Sequence, residues 1–332
     1  MQGRIENKIK TEKLIQRRIQ DAPDFVKEFY YSLNTKTHMT KLRYIGNVLR
    51  FFNYKFGEDV ENITVDSVSK ITALDIEKYV NEINYIADGD GIKEMSGNSK
   101  AIILSSLSMF FDFMKANEYI KKSPFENKRI QRPKAKEKDV VFLTKDEVKR
   151  VEKTILDRPN TDSFKWRDLL LFRIPVINGL RVTALSEINI DDIDFVKHSI
   201  RVVEKGDIRK DVYVDDQTMQ YIRYWFSERK NILSNAGVQS DALFISNANQ
   251  RITVRSIERI ITRTTSKVIP DKHITPHKLR STCGVNLYQA KKDIYLVASV
   301  LGHKSTEPTR RYTKVFDEDK RDAINTMAEI YK

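Results

Sequence analysis

Apolar residues recur at helical spacing through the first 120 or so positions of the chain. Leu42, Ile45, Leu49, Phe52 and Phe56 step by three and four, and Gly57 follows the last of them. This pattern predicts an amphipathic helix that stops at the glycine. Thr72 and Asp75 stand at capping-box spacing ahead of Ile76, Tyr79, Val80 and Ile83, with Asp replacing the usual Glu or Gln. A helix is expected there, with the DGDG run at 88–91 as its stop. A further helix runs from about Asn98 to Asn117 along Ile103, Leu107, Phe110 and Met114. Residues 1–20 are charged without a clear apolar period and read as a basic arm, partly ordered at best. Residues 21–122 then form an all-helical domain of four or five helices.

The stretch SPFENKRIQRPKAKEKD (123–139) holds two prolines, many cations and almost no apolar side chains, the composition of a linker. Thr144 and Glu147 restart the helical pattern with a capping box, so a second domain spans 140–332. It reads as mostly helical with one interruption. SIRVVEKGDIRKDVYV (199–214) alternates about a Lys-Gly-Asp turn, as a hairpin would. Residues 313–332 read as a short amphipathic helix with Ile324, Met327 and Tyr331 on one stripe. The expected fold class is mainly α, a helical N-terminal domain followed by a mixed, mostly α domain with a small β-hairpin.

Composition narrows the partners. The chain has 332 residues, 40% hydrophobic and 32% charged, with a formal net charge of +13. That length fits two domains, each with its own core. The charge favours a polyanion, usually nucleic acid; a generally solvated basic surface is the plain alternative. Cys283 is the only cysteine, which excludes an intrachain disulfide and suits a reducing compartment. Its setting, STCGVNLYQA, reads as a helix interior with a buried thiol. There is no Cys/His spacing of a zinc site, no signal-peptide core at the start and no apolar run of 18 residues. The expectation is a cytoplasmic protein with no membrane contact, no cofactor and no metal.

Four segments of the second domain carry candidate chemistry. In INGLRVTALSEINIDDIDF (177–195), Asn178-Gly179 signals a turn and Arg181 opens the next helix, an unfavourable place for a cation unless an anion joins it. Lys205 precedes Gly206 at the hairpin tip. In ITPHKLRSTCG (274–284), Pro276 suits a first helical turn, and His277 and Arg280 share one face. In LGHKSTEPTRRY (301–312), His303 stands nine residues before Tyr312, which Arg310 and Arg311 precede. Taken singly, Arg181 and Lys205 read as surface cations, and the His/Arg pair is only suggestive of phosphate binding.

As an ordered set the four segments resemble the tyrosine recombinase (phage integrase) family. RDLLLFRIPVINGLRVTALSEINIDDID is similar to its first arginine box, EKGDIRKDVYV to its lysine hairpin, PHKLR to its His-x-x-Arg box, and LGHKSTEPTRRY to its Leu-Gly-His with a following Tyr. The helical first domain and the SPFENKRIQRPK linker resemble the family less specifically. The resemblance covers roughly 300 residues and implies a two-domain clamp around DNA, like Xer and Cre enzymes. It implies Tyr312 as nucleophile forming a 3′-phosphotyrosine link, Arg181 and Arg280 as clamps on the phosphate oxygens, and Lys205 as acid to the leaving 5′-oxygen. His277 would be the general base and His303 a hydrogen-bond partner of the phosphate. Charge supplied by the arginines would replace a metal ion. Two positions depart from the family pattern: Ala184 stands where an acidic residue is usual, with Glu187 one turn further on, and Pro308 lies between His303 and Tyr312.

The implied partners are double-stranded DNA and further copies of the chain, a dimer on a core site and a tetramer in synapsis, with accessory DNA-bending proteins as a further class. The implied function is site-specific strand cutting and rejoining for integration, excision or resolution. Two rivals accompany it: a catalytically inactive architectural DNA-binding protein, and an enzyme of type IB topoisomerase character that religates the strand it cut.

Overall fold

The computed structural model describes residues 2–57, 60–83, 85–88, 91–126, 130–131, 133, 139–203, 209–313 and 318–330. The chain divides into two units, Met1–Glu137 and Lys138–Lys332.

The first unit is built from α1 (Gln2–Ile19), α2 (Asp24–Ser32), α3 (His38–Phe56), α4 (Val65–Ser69), α5 (Ala73–Glu82), an antiparallel pair β1 (Tyr85–Asp88) and β2 (Gly91–Glu94), and α6 (Gly97–Ala116). The start signals act as the sequence implies. Thr72 accepts from the Asp75 backbone N–H while the Asp75 carboxylate accepts from that of Thr72, which satisfies two donors otherwise left open at the start of α5. Phe25 and Phe29 of α2, Phe51 and Phe52 of α3, and Phe110 and Phe111 of α6 are all buried. Phe52 meets Phe110 edge-on at 5.4 Å, the arrangement that ring quadrupoles favour.

Three readings change here. Residues 2–19 are a helix rather than an arm, because Ile15 and Ile19, one turn apart, are buried in the core. The unit is also not all-helical. The DGDG run joins β1 to β2 instead of merely ending a helix, with residues 89–90 outside the described set. Finally, Phe125 and Ile130, inside the expected linker, pack against this unit's core. Residues 127–129, 132 and 134–138 of that stretch lie outside the described set.

The second unit contains α7 (Lys145–Leu156), α8 (Lys165–Asn178), α9 (Val182–Glu187), β3 (Ile193–Asp194), β4 (Ser199–Val203), β5 (Arg209–Tyr213), α10 (Asp216–Ala236), α11 (Val254–Ser266), α12 (Pro276–Lys291), α13 (Ile294–Leu301), α14 (Arg310–Thr313) and α15 (Glu318–Ile330). The strands form one antiparallel sheet in the order β3-β4-β5, with Ile200 opposite Val212. Helix α8 is buried on nearly every side, Arg167 to Val176 without a break, and is therefore the central helix. Helices α7, α10, α11 and α12 pack around it. Its buried Arg173 donates to Glu152 at 2.7 Å, Asp215 at 3.0 Å and Thr218 at 2.8 Å, so its charge is compensated inside the core.

Helix α15 shows Ile324, Met327 and Ile330 exposed; Tyr331 of the expected stripe lies outside the described residues. Among the described residues no helix is long and apolar enough to cross a membrane.

Candidate active site

Two helix ends and one helix face converge in the second unit. Helix α8 ends at Gly179, whose φ of 64° is left-handed. A Cβ there would overlap Leu301 Cδ2, so both conformation and space demand glycine. The tight turn brings Arg181 to the residue just before α9. Helix α13 likewise ends at Gly302 in the left-handed region, and the next residue is His303. Arg280, on α12 and 4% exposed, ties the two ends together. Its Nη1 donates to Gly179 O at 2.5 Å and its Nη2 to Leu301 O. Arg181 Nη2 reaches Gly302 O at 3.4 Å. The planar fork of one buried guanidinium thus positions the turns that carry Arg181 and His303.

His303 Nδ1 lies 2.7 Å from Thr309 Oγ1, which orients the ring and leaves Nε2 as its other polar atom. His277, at the start of α12, keeps part of its surface open to solvent. Its pKa is nevertheless lowered, first by burial and then by Arg311, Arg280, Lys278 and Arg181. A neutral imidazole is the form able to accept a proton. Those four cations also mark a place where an anion is electrostatically wanted.

Tyr312, on α14, is 2% exposed and sits in a small apolar cluster with Cys283, Val285, Val297 and Leu301. Its ring lies on the backbone of α12 at Gly284, where a Cβ would come within 2.6 Å of Cε2 and 2.8 Å of Cδ2. Cys283 is buried beside it and donates to Ile177 O at 3.2 Å. Burial pushes its thiol up to about 12, which makes it an inert packing group.

The structure therefore gathers Arg181, His277, Arg280, His303 and Tyr312. Lys205 lies in residues 204–208, outside the described set, between β4 and β5. Among the described residues no group of three or more His, Cys, Asp or Glu side chains could hold a metal ion. Ala184 is a buried methyl group. Arg251, not expected from the sequence, holds the far end of α9, donating to Ser186 O at 3.1 Å and Ile188 O at 3.3 Å. Pro308 fits the short 3-10 turn Glu307–Thr309 that leads into α14. Gly284 was also missed as a site residue. Its signal is a glycine inside a helical pattern, which marks a close approach.

The model of the phage integrase family matches residues 141–319, more than half of the chain. The chain belongs to the phage integrase family. It is a tyrosine recombinase, an enzyme that cleaves and rejoins DNA. It is 29% identical to a tyrosine recombinase XerC of Vibrio vulnificus (strain YJ016), over 68% of this chain and 69% of that one. To a tyrosine recombinase XerS of Streptococcus thermophilus (strain CNRZ 1066) it is 26% identical over 92% and 95%. Its fold is shared with the crystal structure of a XerH site-specific recombinase bound to a palindromic difH substrate, with a TM-score of 0.66 and 20% identity over 88% of this chain and 78% of that one. The mostly helical architecture with a small three-stranded antiparallel sheet in the second unit is the recombinase fold the sequence implied.

Proposed function

We propose that this recombinase acts at a specific DNA site through Tyr312, with Arg181, Lys205, His277, Arg280 and His303 as its chemical partners. The Tyr312 oxygen attacks the scissile phosphorus as the bond to the 5′-oxygen breaks. His277 takes the tyrosine proton, and the Lys205 ammonium gives one to the departing 5′-oxygen. Arg181 and Arg280 neutralise the non-bridging oxygens, which guanidinium geometry matches and which no pH change near neutrality can uncharge. His303 donates to the same phosphate. The resulting phosphotyrosine retains the bond energy, so a second 5′-hydroxyl reverses the step and joins a new strand.

One observation carries this reading. The Arg280 fork on Gly179 O and Leu301 O brings together the turns that carry residues 181 and 303, and His277, one turn from Arg280 on the same helix, has its pKa lowered by burial and then by Arg311, Arg280, Lys278 and Arg181. A DNA-binding protein without catalysis needs a basic surface, not a histidine with its pKa lowered among arginines. Two lambda integrase structures are described as a dimer bound to a core site and a tetramer bound to a Holliday junction. The same partners are proposed here, double-stranded DNA and copies of this chain, with the exposed stripe of α15 as a contact between copies. The proposed setting is the cytoplasm.

A nicked suicide substrate tests the assignment. The wild-type chain should form a protease-sensitive covalent adduct on it, and Tyr312→Phe should bind the same DNA without forming one. An adduct from the Phe variant would move the nucleophile, with Tyr288 and Tyr331 next. Exchange of strands between two sites then separates a recombinase from an enzyme that only religates the strand it cut.

A further inference from the structure

On α12, His277, Ser281 and Gly284 follow at intervals of four and three and so share one face. The residues of α14 lie along this stripe. Tyr312 rests on Gly284, and Arg311 Nη2 donates to Ser281 Oγ at 3.0 Å. The Arg311 guanidinium also stands 5.2 Å from the centre of the Tyr312 ring. Ser281 Oγ in turn donates to His277 O at 3.1 Å. The guanidinium therefore occupies the lane between the tyrosine ring and the histidine. Its neighbour Arg310 pairs with Glu307 at 3.1 Å, whereas Arg311 has no carboxylate partner among the described residues. A cation held by one neutral hydroxyl, beside two further arginines, is poised to change partners when an anion arrives. A phosphate carries a full negative charge and can accept two parallel bonds from a guanidinium, whereas a hydroxyl offers Arg311 one neutral acceptor.

We infer that Arg311 is a further phosphate-binding residue for the cleavage step, one that also positions the nucleophile. Bound to Ser281, it holds the Tyr312 ring on Gly284 and apart from His277; transfer of its guanidinium to the scissile phosphate frees the ring to approach the phosphorus. The inference rests on Tyr312 being the nucleophile. It adds a condition to that reading: the tyrosine is presented once phosphate is in place, because the group that stows it is the group that phosphate withdraws.

The experiment compares Ser281→Ala and Arg311→Gln with the wild-type chain. Nitration of Tyr312 by tetranitromethane in DNA-free protein, read by peptide mass spectrometry, reports how often the ring leaves its seat. The rate of covalent adduct formation on the suicide substrate, with the adducted peptide mapped, reports cleavage. Loss of a hydrogen bond from a charged donor at a half-exposed place is expected to raise nitration about three- to tenfold in both variants. Cleavage should then divide them. Ser281→Ala keeps the guanidinium and should react faster than wild type, whereas Arg311→Gln should react at least tenfold more slowly. Unchanged nitration in Ser281→Ala overturns the inference, since Arg311 would then not hold the ring. Equal acceleration of cleavage in both variants also overturns it, since the guanidinium would then do nothing at the phosphate. An adduct mapped to another residue instead sinks the nucleophile assignment, and the mapping keeps the two failures apart. Circular dichroism and DNA-binding titration check both variants for folding. Ser281→Ala changes one hydroxyl to hydrogen within a helix and decides the matter by itself should Arg311→Gln misfold.

Discussion

Gly284→Ala sets two local effects against each other, and the structure says which prevails. Alanine in a helix interior is favoured over glycine by about 1 kcal/mol. Against this, the new methyl would lie 2.6, 2.8 and 3.0 Å from three atoms of the Tyr312 ring. The ring would have to withdraw by roughly 0.8 Å to reach ordinary contact, forfeiting a quarter to a half of its local dispersion energy. Overpacking of this kind costs about 1–3 kcal/mol. The net effect expected is a destabilisation of up to about 2 kcal/mol. In a unit of this size that lowers Tm by at most about 4–8 °C. Complete expulsion of the ring would cost more, about 3–5 kcal/mol, the scale of emptying a large aromatic site. The variant is therefore expected to fold with Tyr312 displaced rather than lost from the structure. Calorimetry measures the first quantity, and hydrogen exchange across residues 307–313 measures the second, where faster exchange is expected. A rise in Tm of 2–4 °C with unchanged exchange would mean that alanine realises its full helical advantage. The ring would then not rest on Gly284, and the reasoning would fail.

Three further outcomes follow from the same geometry. Arg173→Met strands Glu152 and Asp215 at the edge of the core and is expected to cost about 3–5 kcal/mol, read by urea denaturation; a loss under 1 kcal/mol would show that the network is not needed. His277 has its pKa below the ordinary 6.5, so its neutral form persists as pH falls. The second-order rate of adduct formation, which reports the free enzyme, should hold from pH 8 to below 6.5 and decline only beneath that, and an acid limb centred above 6.5 would assign the base elsewhere. Arg181 and Arg280 are proposed to supply fixed positive charge to the phosphate, so EDTA should leave covalent cleavage intact while Arg181→Ala abolishes it; strict dependence on added divalent ion would count against the proposed roles.

What the sequence alone determined is local. Thr72 with Asp75, Thr144 with Glu147, and Gly57 mark helix ends because the groups they satisfy lie within four residues. The order of Arg181, Lys205, His277, Arg280, His303 and Tyr312 likewise identifies the family from short, nearly contiguous boxes. The DGDG run shows the limit of such signals. A glycine-rich turn can end a helix or join two strands, and pairing of residues 85–88 with 91–94 decides between them. Residues 2–19 looked like an arm because their apolar positions are few. Ile15 and Ile19 count as core only once α3 lies against them.

Tertiary structure decided how the site is held. Arg280 binds Gly179 O and Leu301 O, residues 101 and 21 positions away. Every residue carries a backbone carbonyl, so no side-chain pattern singles those two out. Arg251 at the end of α9 escaped notice for the same reason. Tyr312, the proposed nucleophile, could be matched to the family's tyrosine from its spacing to His303. That its ring is buried on a glycine, with Arg311 clasped to Ser281 alongside, depends on α14 packing against α12. Contacts of that range cost chain entropy to form and are fixed by the fit of whole surfaces, and a linear pattern of residue types does not record that fit.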